Sequence, residues 1–350
     1  MSYTTLCHWI ETDEVTGTVT QLTAERLNSY SDIFDQLTAV DGHKPALGLE
    51  YHHDSGDEMD LSLEGGFELF DLKDIRYPEW LMALIGTLKA NADSAKPTNN
   101  SFYVEFDQGS DGFSLAGFFR SFSAQEGDGK TTNQHPATEY LELFDKFRGC
   151  NSRSSKCLAS FICKIGHPDW LGVMARGGNV VKLIAPLHED NIETTKAFCL
   201  NHFGALFNAS RISIDSTFLE IQECLAQSVL RLSVDLDLDH DIFLPRLSLE
   251  VGPTITVGEE ADAWPESVMR LMNCLQISNK AKSDFQRIFK ILPRGIKRQS
   301  GFTSGDLQIM YCRYHHLKAS TTLNGSTIKS YMGAHYLKET GVKKTEGIQE

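Results

Sequence analysis

Hydrophobic and polar residues alternate with a period of two in several short runs. Val229–Asp239 is the clearest. Leu230, Leu232, Val234, Leu236 and Leu238 fall on one face; Arg231, Ser233, Asp235, Asp237 and Asp239 fall on the other. Successive side chains of a strand point to opposite faces, so this spacing predicts a strand with one apolar and one charged side. The run Phe243–Val251 sets Leu247, Leu249 and Val251 against Arg246, Ser248 and Glu250. Phe102, Val104 and Phe106 alternate with Tyr103, Glu105 and Asp107, and Met59, Leu61 and Leu63 with Asp60, Ser62 and Glu64.

The runs come in pairs joined by turn residues. Ala46–His53 and Glu58–Glu64 flank Asp54–Asp57; Ser101–Asp107 and Phe113–Arg120 flank Gly109–Gly112. Trp170–Arg176 and Val180–Pro186 flank Gly177–Asn179; Leu307–Lys318 and Thr327–Met332 flank Leu323–Ser326. Each pair reads as a hairpin. Between hairpins the pattern turns helical: Ala24–Val40, Pro78–Leu88, Pro136–Arg148, Ser154–Lys164, Glu189–Phe207, Ser216–Gln227, Pro265–Leu275 and Ser283–Ile291. Proline suits a first helical turn, which places one helix start near Pro78. The polar stretch Ser123–His135 reads as a surface loop.

This order predicts an α/β (α+β, antiparallel) fold in which α-β-β-α units recur five times and ten strands close a barrel ringed by helices. Closure removes sheet edges. The helices cover the apolar strand faces. The charged faces are then either an open sheet surface or a lumen. Ten strands enclose more space than the eight that side chains alone can fill, so a hydrated interior is expected. One domain spans 1–338, and a polar tail spans 339–350.

Composition narrows the partners. The 350 residues carry a formal charge of −14, which repels phosphate backbones and argues against nucleic acid. No run of about 18 apolar residues predicts a membrane span. Met1–Leu6 has no basic region before an apolar run, so it is not a secretory signal. The eight cysteines form no CxxC pair and read as reduced thiols of a cytoplasmic protein.

Other constellations are less pointed. Asp235, Asp237, Asp239 and Asp241 resemble a metal-binding run of oxygen ligands, which would suit Mg²⁺ or Ca²⁺, but the offsets of an EF-hand are missing. The plainer reading is an acidic strand end. His52–His53 and His315–His316 are neighbours on strands and must point to opposite faces, so neither pair is a ready chelate; His52 and His316 remain candidate lumen acid–base groups. Pro293–Arg298 is a short basic stretch, either an ordinary loop or a grip for an acidic leader peptide.

The repeated unit, with Lys329-Ser330-Tyr331 on a late strand and Lys182 on an earlier one, resembles the ABBA prenyltransferases. His316-Leu317-Lys318 followed by Lys329-Ser330-Tyr331 and a glycine is also similar to bacterial proteins encoded near modified-peptide (RiPP) pathways. The resemblance implies an allylic diphosphate held by lumen cations, with Arg176, Lys182, Arg231, Arg246, Lys318 and Lys329 as candidates. It implies Tyr103, Tyr314 and Tyr331 as shields of the allylic cation and Glu105 as acceptor of the proton lost by the nucleophile. The acceptor would be a peptide side chain or a small aromatic molecule. No metal ligand is implied; Mg²⁺ is the candidate cofactor if one is used. Ile184 stands where a tyrosine would follow Lys182, and the acids Glu50, Glu105, Asp235, Asp237 and Glu250 oppose a diphosphate unless paired. Two alternatives stay open: a non-catalytic peptide-binding or accessory protein using the same barrel, and a metal-dependent enzyme using the acidic lumen.

Overall fold

The computed structural model describes residues 46–53, 59–71, 77–94, 102–109, 112–122, 136–175, 178–253, 266–291, 296–303 and 306–339. The expected helix Ala24–Val40 and loop Ser123–His135 lie outside them. The described strands are β1 (Ala46–His52), β2 (Met59–Gly65), β3 (Phe102–Gly109), β4 (Gly112–Ser121), β5 (Trp170–Met174), β6 (Val180–Pro186), β7 (Ser228–Asp237), β8 (Ile242–Pro253), β9 (Ile296–Thr303), β10 (Asp306–Thr322) and β11 (Gly325–Glu339). One helix, α1 (Glu79–Ser94), separates β2 from β3. The pair α2 (Pro136–Arg148) and α3 (Lys156–Lys164) separates β4 from β5, and α4 (Ile192–Ala209) and α5 (Ile214–Leu225) separate β6 from β7. The last pair, α6 (Glu266–Cys274) and α7 (Asn279–Ile291), follows β8.

Every strand pairing is antiparallel. β1 through β8 pair in chain order, β8 pairs with β10, β10 with β11, and β11 returns to β1. Ten strands therefore form a closed ring, as the period-two pattern predicts. One strand was not expected: β9 pairs with the Asp306–Cys312 half of β10, beyond the part of β10 that meets β8. The basic stretch ending at Arg298 thus runs into a strand rather than a loop. Ile296–Thr303 shows no apolar alternation, so no sequence signal marked it.

The alternation sorts the faces as expected. Leu230, Leu232, Val234 and Leu236 of β7 and Leu247 and Leu249 of β8 are buried with Phe198, Phe203 and Phe207 of α4 and Phe218 and Ile221 of α5. Burying each such side chain stabilises the fold by about 1.5–3 kcal/mol. Helix starts are held by side-chain caps. The Ser155 Oγ accepts from the Leu158 N–H at 3.0 Å, and the Ser213 Oγ from the Ser216 N–H at 3.3 Å. The β10–β11 turn places Gly325 at φ 120°, a left-handed conformation that favours glycine. Among the described residues, no helix is long and apolar enough to cross a membrane.

Candidate functional site in the barrel lumen

On the strand faces turned away from the helices, two rows of paired positions can be followed from strand to strand, each a half-belt of the ring. The first follows the register Arg231, Glu250, Lys318, Lys329, His52 across β7, β8, β10, β11 and β1. The second follows Glu64, Tyr103, Phe119, Gly172, Lys182, Asp235 across β2 to β7.

In the first half-belt the charges are paired. Lys318 Nζ lies 3.1 Å from Glu250. Lys329 Nζ donates to Glu50 Oε1 and lies 3.5 Å from Asp60 Oδ2. His52 Nε2 is 2.7 Å from the same Asp60 oxygen. Arg231 Nε donates to Asp169 at 2.8 Å. Ser248 and Ser320 share a hydrogen bond of 2.8 Å. His316 stacks on Tyr331 with ring centres 4.0 Å apart. As the strand geometry requires, His53 points the other way, to the Ser330 hydroxyl at 2.6 Å.

The second half-belt is different. Lys182 is 5% exposed, yet its nearest carboxylate, Asp235, is 3.8 Å away, too far for a hydrogen bond. Its ammonium lies 5.8 Å from the centre of the Phe119 ring. Arg246, inward-facing on β8, has a buried Nε with no hydrogen-bond partner among the described residues. Glu105, opposite Gly117, has none either. Tyr103 meets Phe119 and Trp170 edge-on, with ring centres 6.0 and 6.4 Å apart.

Electrostatics follow this division. Burial, the Lys318 charge and Arg246 hold Lys182 below the usual lysine range despite Asp235 and Glu105. For Lys318 burial works the same way, but Glu250 and Glu105 outweigh it and raise its pKa. Burial and the Glu50 charge raise the Glu105 carboxyl against the pull of Lys182, Lys318 and Lys329. Burial, with Glu105 and Glu50 nearby, keeps the Tyr103 and Tyr331 phenols protonated.

The candidates named from sequence separate accordingly. Lys182, Glu105 and the Arg246 Nε face inward without a hydrogen-bond partner among the described residues, and Tyr103 faces inward beside Phe119. Lys318, Lys329 and Arg231 are engaged by carboxylates, and one face of Tyr331 is covered by His316. Arg176 and the Tyr314 side chain lie outside what the structure describes. The aspartate run divides into separate duties. Asp237 accepts from the Asp239 and His240 backbone and from the His240 ring, closing the β7–β8 turn. Asp239 accepts from Asn179, and Asp241 accepts from Ser155 Oγ and the Lys156 and Cys157 N–H groups at the start of α3.

Among the described residues, a metal would best fit Glu50, His52 and Asp60, whose ligand atoms lie within 4.8 Å of one another. The Lys329 ammonium already contacts both carboxylates there and supplies the positive charge. Sequence reasoning missed Phe119 and Trp170. Their parity on β4 and β5 would have placed them inward, but Phe118-Phe119 breaks the alternation.

No protein-family model and no curated protein matches the sequence. Solved structures do match. NotF in complex with brevianamide F and DMSPP is 11% identical, with a TM-score of 0.51 over 89% of this chain and 88% of that one. AnaPT from Neosartorya fischeri is 12% identical, with a TM-score of 0.50 over 94% and 90%. A second structure, of NotF prenyltransferase, is 9% identical with a TM-score of 0.50 over 89% and 88%. The ring of ten antiparallel strands inside its helices is the ABBA prenyltransferase fold.

Proposed function

We propose that this chain is a cytoplasmic, single-domain prenyltransferase that moves a prenyl group from an allylic diphosphate to an acceptor held in the lumen. The observation that carries this is the pair of lumen cations without hydrogen-bond partners among the described residues, Lys182 and Arg246. A buried ammonium and a buried guanidinium Nε lacking acceptors are costly unless an anion completes them. The fold it shares with NotF, whose structure holds DMSPP, points to a diphosphate as that anion.

The chemistry follows from the positions. The C1–O bond of the allylic diphosphate breaks, and the leaving diphosphate takes the electron pair toward Lys182 and Arg246, which stabilise its developing charge. The allylic cation is faced by Tyr103, whose neutral ring stabilises positive charge through its π-face. The acceptor nucleophile bonds to C1. Its proton passes to Glu105, whose raised pKa suits a proton acceptor. Lys318, Lys329 and Arg231 hold the opposite wall in place. Two of the acids that oppose diphosphate binding in the sequence, Glu50 and Glu250, are neutralised by Lys329 and Lys318.

The acceptor class in this proposal is a small aromatic molecule or an aromatic side chain of a peptide, the latter in keeping with a role in modified-peptide biosynthesis. Incubation with dimethylallyl or geranyl diphosphate and panels of tryptophan- or tyrosine-containing peptides and cyclic dipeptides tests it. A product heavier by one prenyl unit supports it. If no diphosphate binds, the reading is wrong. Peptide binding without turnover would favour an accessory role, which the filled first half-belt also fits.

A further inference from the structure

We infer that Asp235 is the acid of this site, taking up a proton as the donor's diphosphate binds and passing it to the diphosphate as it leaves; this rests on the diphosphate reading above. Asp235 is 8% exposed. Its Oδ1 has no hydrogen-bond partner among the described residues and lies 3.8 Å from Lys182 Nζ. A buried carboxylate oxygen without a donor is costly. A donor from a ligand relieves that cost, and so does a proton on the carboxylate itself. A fully ionised diphosphate has no donor to give, which leaves the proton.

The register fixes where Asp235 stands. On β6 it pairs with Lys182. On β8 the segment 244–246 lies against it, because the β7–β8 pairing skips from Val234–Leu247 to Leu236–Phe243. Such a bulge re-aims side chains, and Arg246 belongs to it. Asp235 therefore separates the two cations, with Lys182 on one neighbouring strand and Arg246 on the other. An anion that touches both Lys182 Nζ and Arg246 Nε must lie against the Asp235 carboxylate.

The other charges nearby do not remove that conflict. Glu105 of β3 and Lys318 of β10 act on Lys182 from across the lumen. Asp237, the next inward residue of β7, is turned into the hairpin by the His240 ring and the Asp239 and His240 N–H groups. Arg231, four positions back on the same strand, is held by Asp169. Two anions that share one buried site cannot both keep their full charge. Lys182 and Arg246 favour the charge on the diphosphate, so the proton settles on Asp235, along a hydrogen bond to the diphosphate.

The step balances. The C1–O bond breaks and the diphosphate takes its electron pair. The Asp235 O–H proton moves to a diphosphate oxygen that gains charge, which eases departure. The protonated diphosphate leaves, and Asp235 returns to the carboxylate that faces Lys182. One proton thus enters from solvent with each donor and leaves with each diphosphate. The proton lost by the acceptor is a separate one and goes to Glu105.

Calorimetry with inorganic diphosphate in EDTA, repeated in buffers of unlike ionisation heat, counts the protons taken up. Wild type should take up about one proton more than Asp235→Asn. A protonated-carboxyl band should appear in the wild-type infrared difference spectrum on adding diphosphate and be missing from that of the variant. Asp235→Asn should bind diphosphate at least about tenfold more tightly above neutral pH, because a like charge is gone. With dimethylallyl diphosphate and a tryptophan-containing cyclic dipeptide, its kcat should nevertheless fall at least about tenfold. Tighter binding with slower turnover is a split that disturbed packing does not produce. Equal proton uptake by the two proteins, or binding by Asp235→Asn no tighter than wild type, would overturn the assignment and leave the donor reading standing. So would binding that needs Mg²⁺ and takes up no proton, since Asp235 would then hold a metal. If diphosphate binds neither protein with or without Mg²⁺, both readings fall. Should Asp235→Asn not fold, the wild-type proton count and carboxyl band decide alone.

Discussion

Lys182 and Lys318 are both buried lumen lysines, and replacing each by methionine should have opposite consequences. Lys318 sits 3.1 Å from Glu250, within hydrogen-bond reach; Lys182 sits 3.8 Å from Asp235, outside it. At an effective dielectric near 20, Coulomb attraction at these separations differs by about 1 kcal/mol. A hydrogen bond between charged groups adds about 1.5–3 kcal/mol, which only Lys318 makes. Its pairing therefore exceeds that of Lys182 by about 3 kcal/mol, within the range of about 3–5 kcal/mol found on breaking a buried pair. The pKa directions agree. Lys318 is raised, so its charge contributes stability that is present below the ordinary lysine value and lost as pH climbs through the raised one. Lys182 is lowered, so its charge opposes folding at neutral pH. Urea unfolding of Lys318→Met should show a loss of about 3 kcal/mol or more, and of Lys182→Met about 1 kcal/mol or less. Calorimetry with inorganic diphosphate should show Lys182→Met weakened about ten- to a hundredfold, for one lost charge-assisted contact. Equal destabilisation by the two substitutions, with diphosphate binding intact in Lys182→Met, would refute the assignment of Lys182 as a binding cation.

Three further outcomes follow. Glu105→Gln should lower kcat about 10²–10⁴-fold. Because the carboxyl must be ionised to take a proton and its pKa is raised, the acid limb of the wild-type pH–rate profile should lie above the usual carboxylate range and be missing in the variant. Lys329→Met removes the ammonium from Glu50, His52 and Asp60, so equilibrium dialysis with Mn²⁺ should find a tight site in the variant that wild type lacks; equal binding by both would show that Lys329 does not fill that position. Asp241→Ala should cost about 1–2 kcal/mol in urea by uncapping the start of α3 and leave diphosphate binding unchanged; a change in binding instead would tie the aspartate run to the lumen.

Local periodicity carried most of the fold. Leu230 through Leu238 against Arg231 through Asp239 announces a two-faced strand, and the helices between hairpins leave a covered and an uncovered side. The partners of each charge were not legible. Lys318 meets Glu250, and Lys329 meets Glu50, through registers set by strands far apart in sequence. Alternation says that these groups face inward, but not which of them touch. Hence the cations looked equivalent in sequence, and only contact distances separate Lys182 and Arg246 from Lys318, Lys329 and Arg231. Phe119 was hidden for another reason. It follows Phe118, which packs outward on Tyr140, and two adjacent aromatic residues carry no period.

The most direct measurement is a crystal structure with the dimethylallyl thiolodiphosphate analogue. Diphosphate oxygens should lie within hydrogen-bond distance of Lys182 Nζ and Arg246 Nε, with the allylic carbons facing Tyr103 and the Lys318–Glu250 and Lys329–Glu50 pairs unbroken. A diphosphate bound outside the lumen, or seated on Lys318 or Lys329 with those pairs opened, would contradict it.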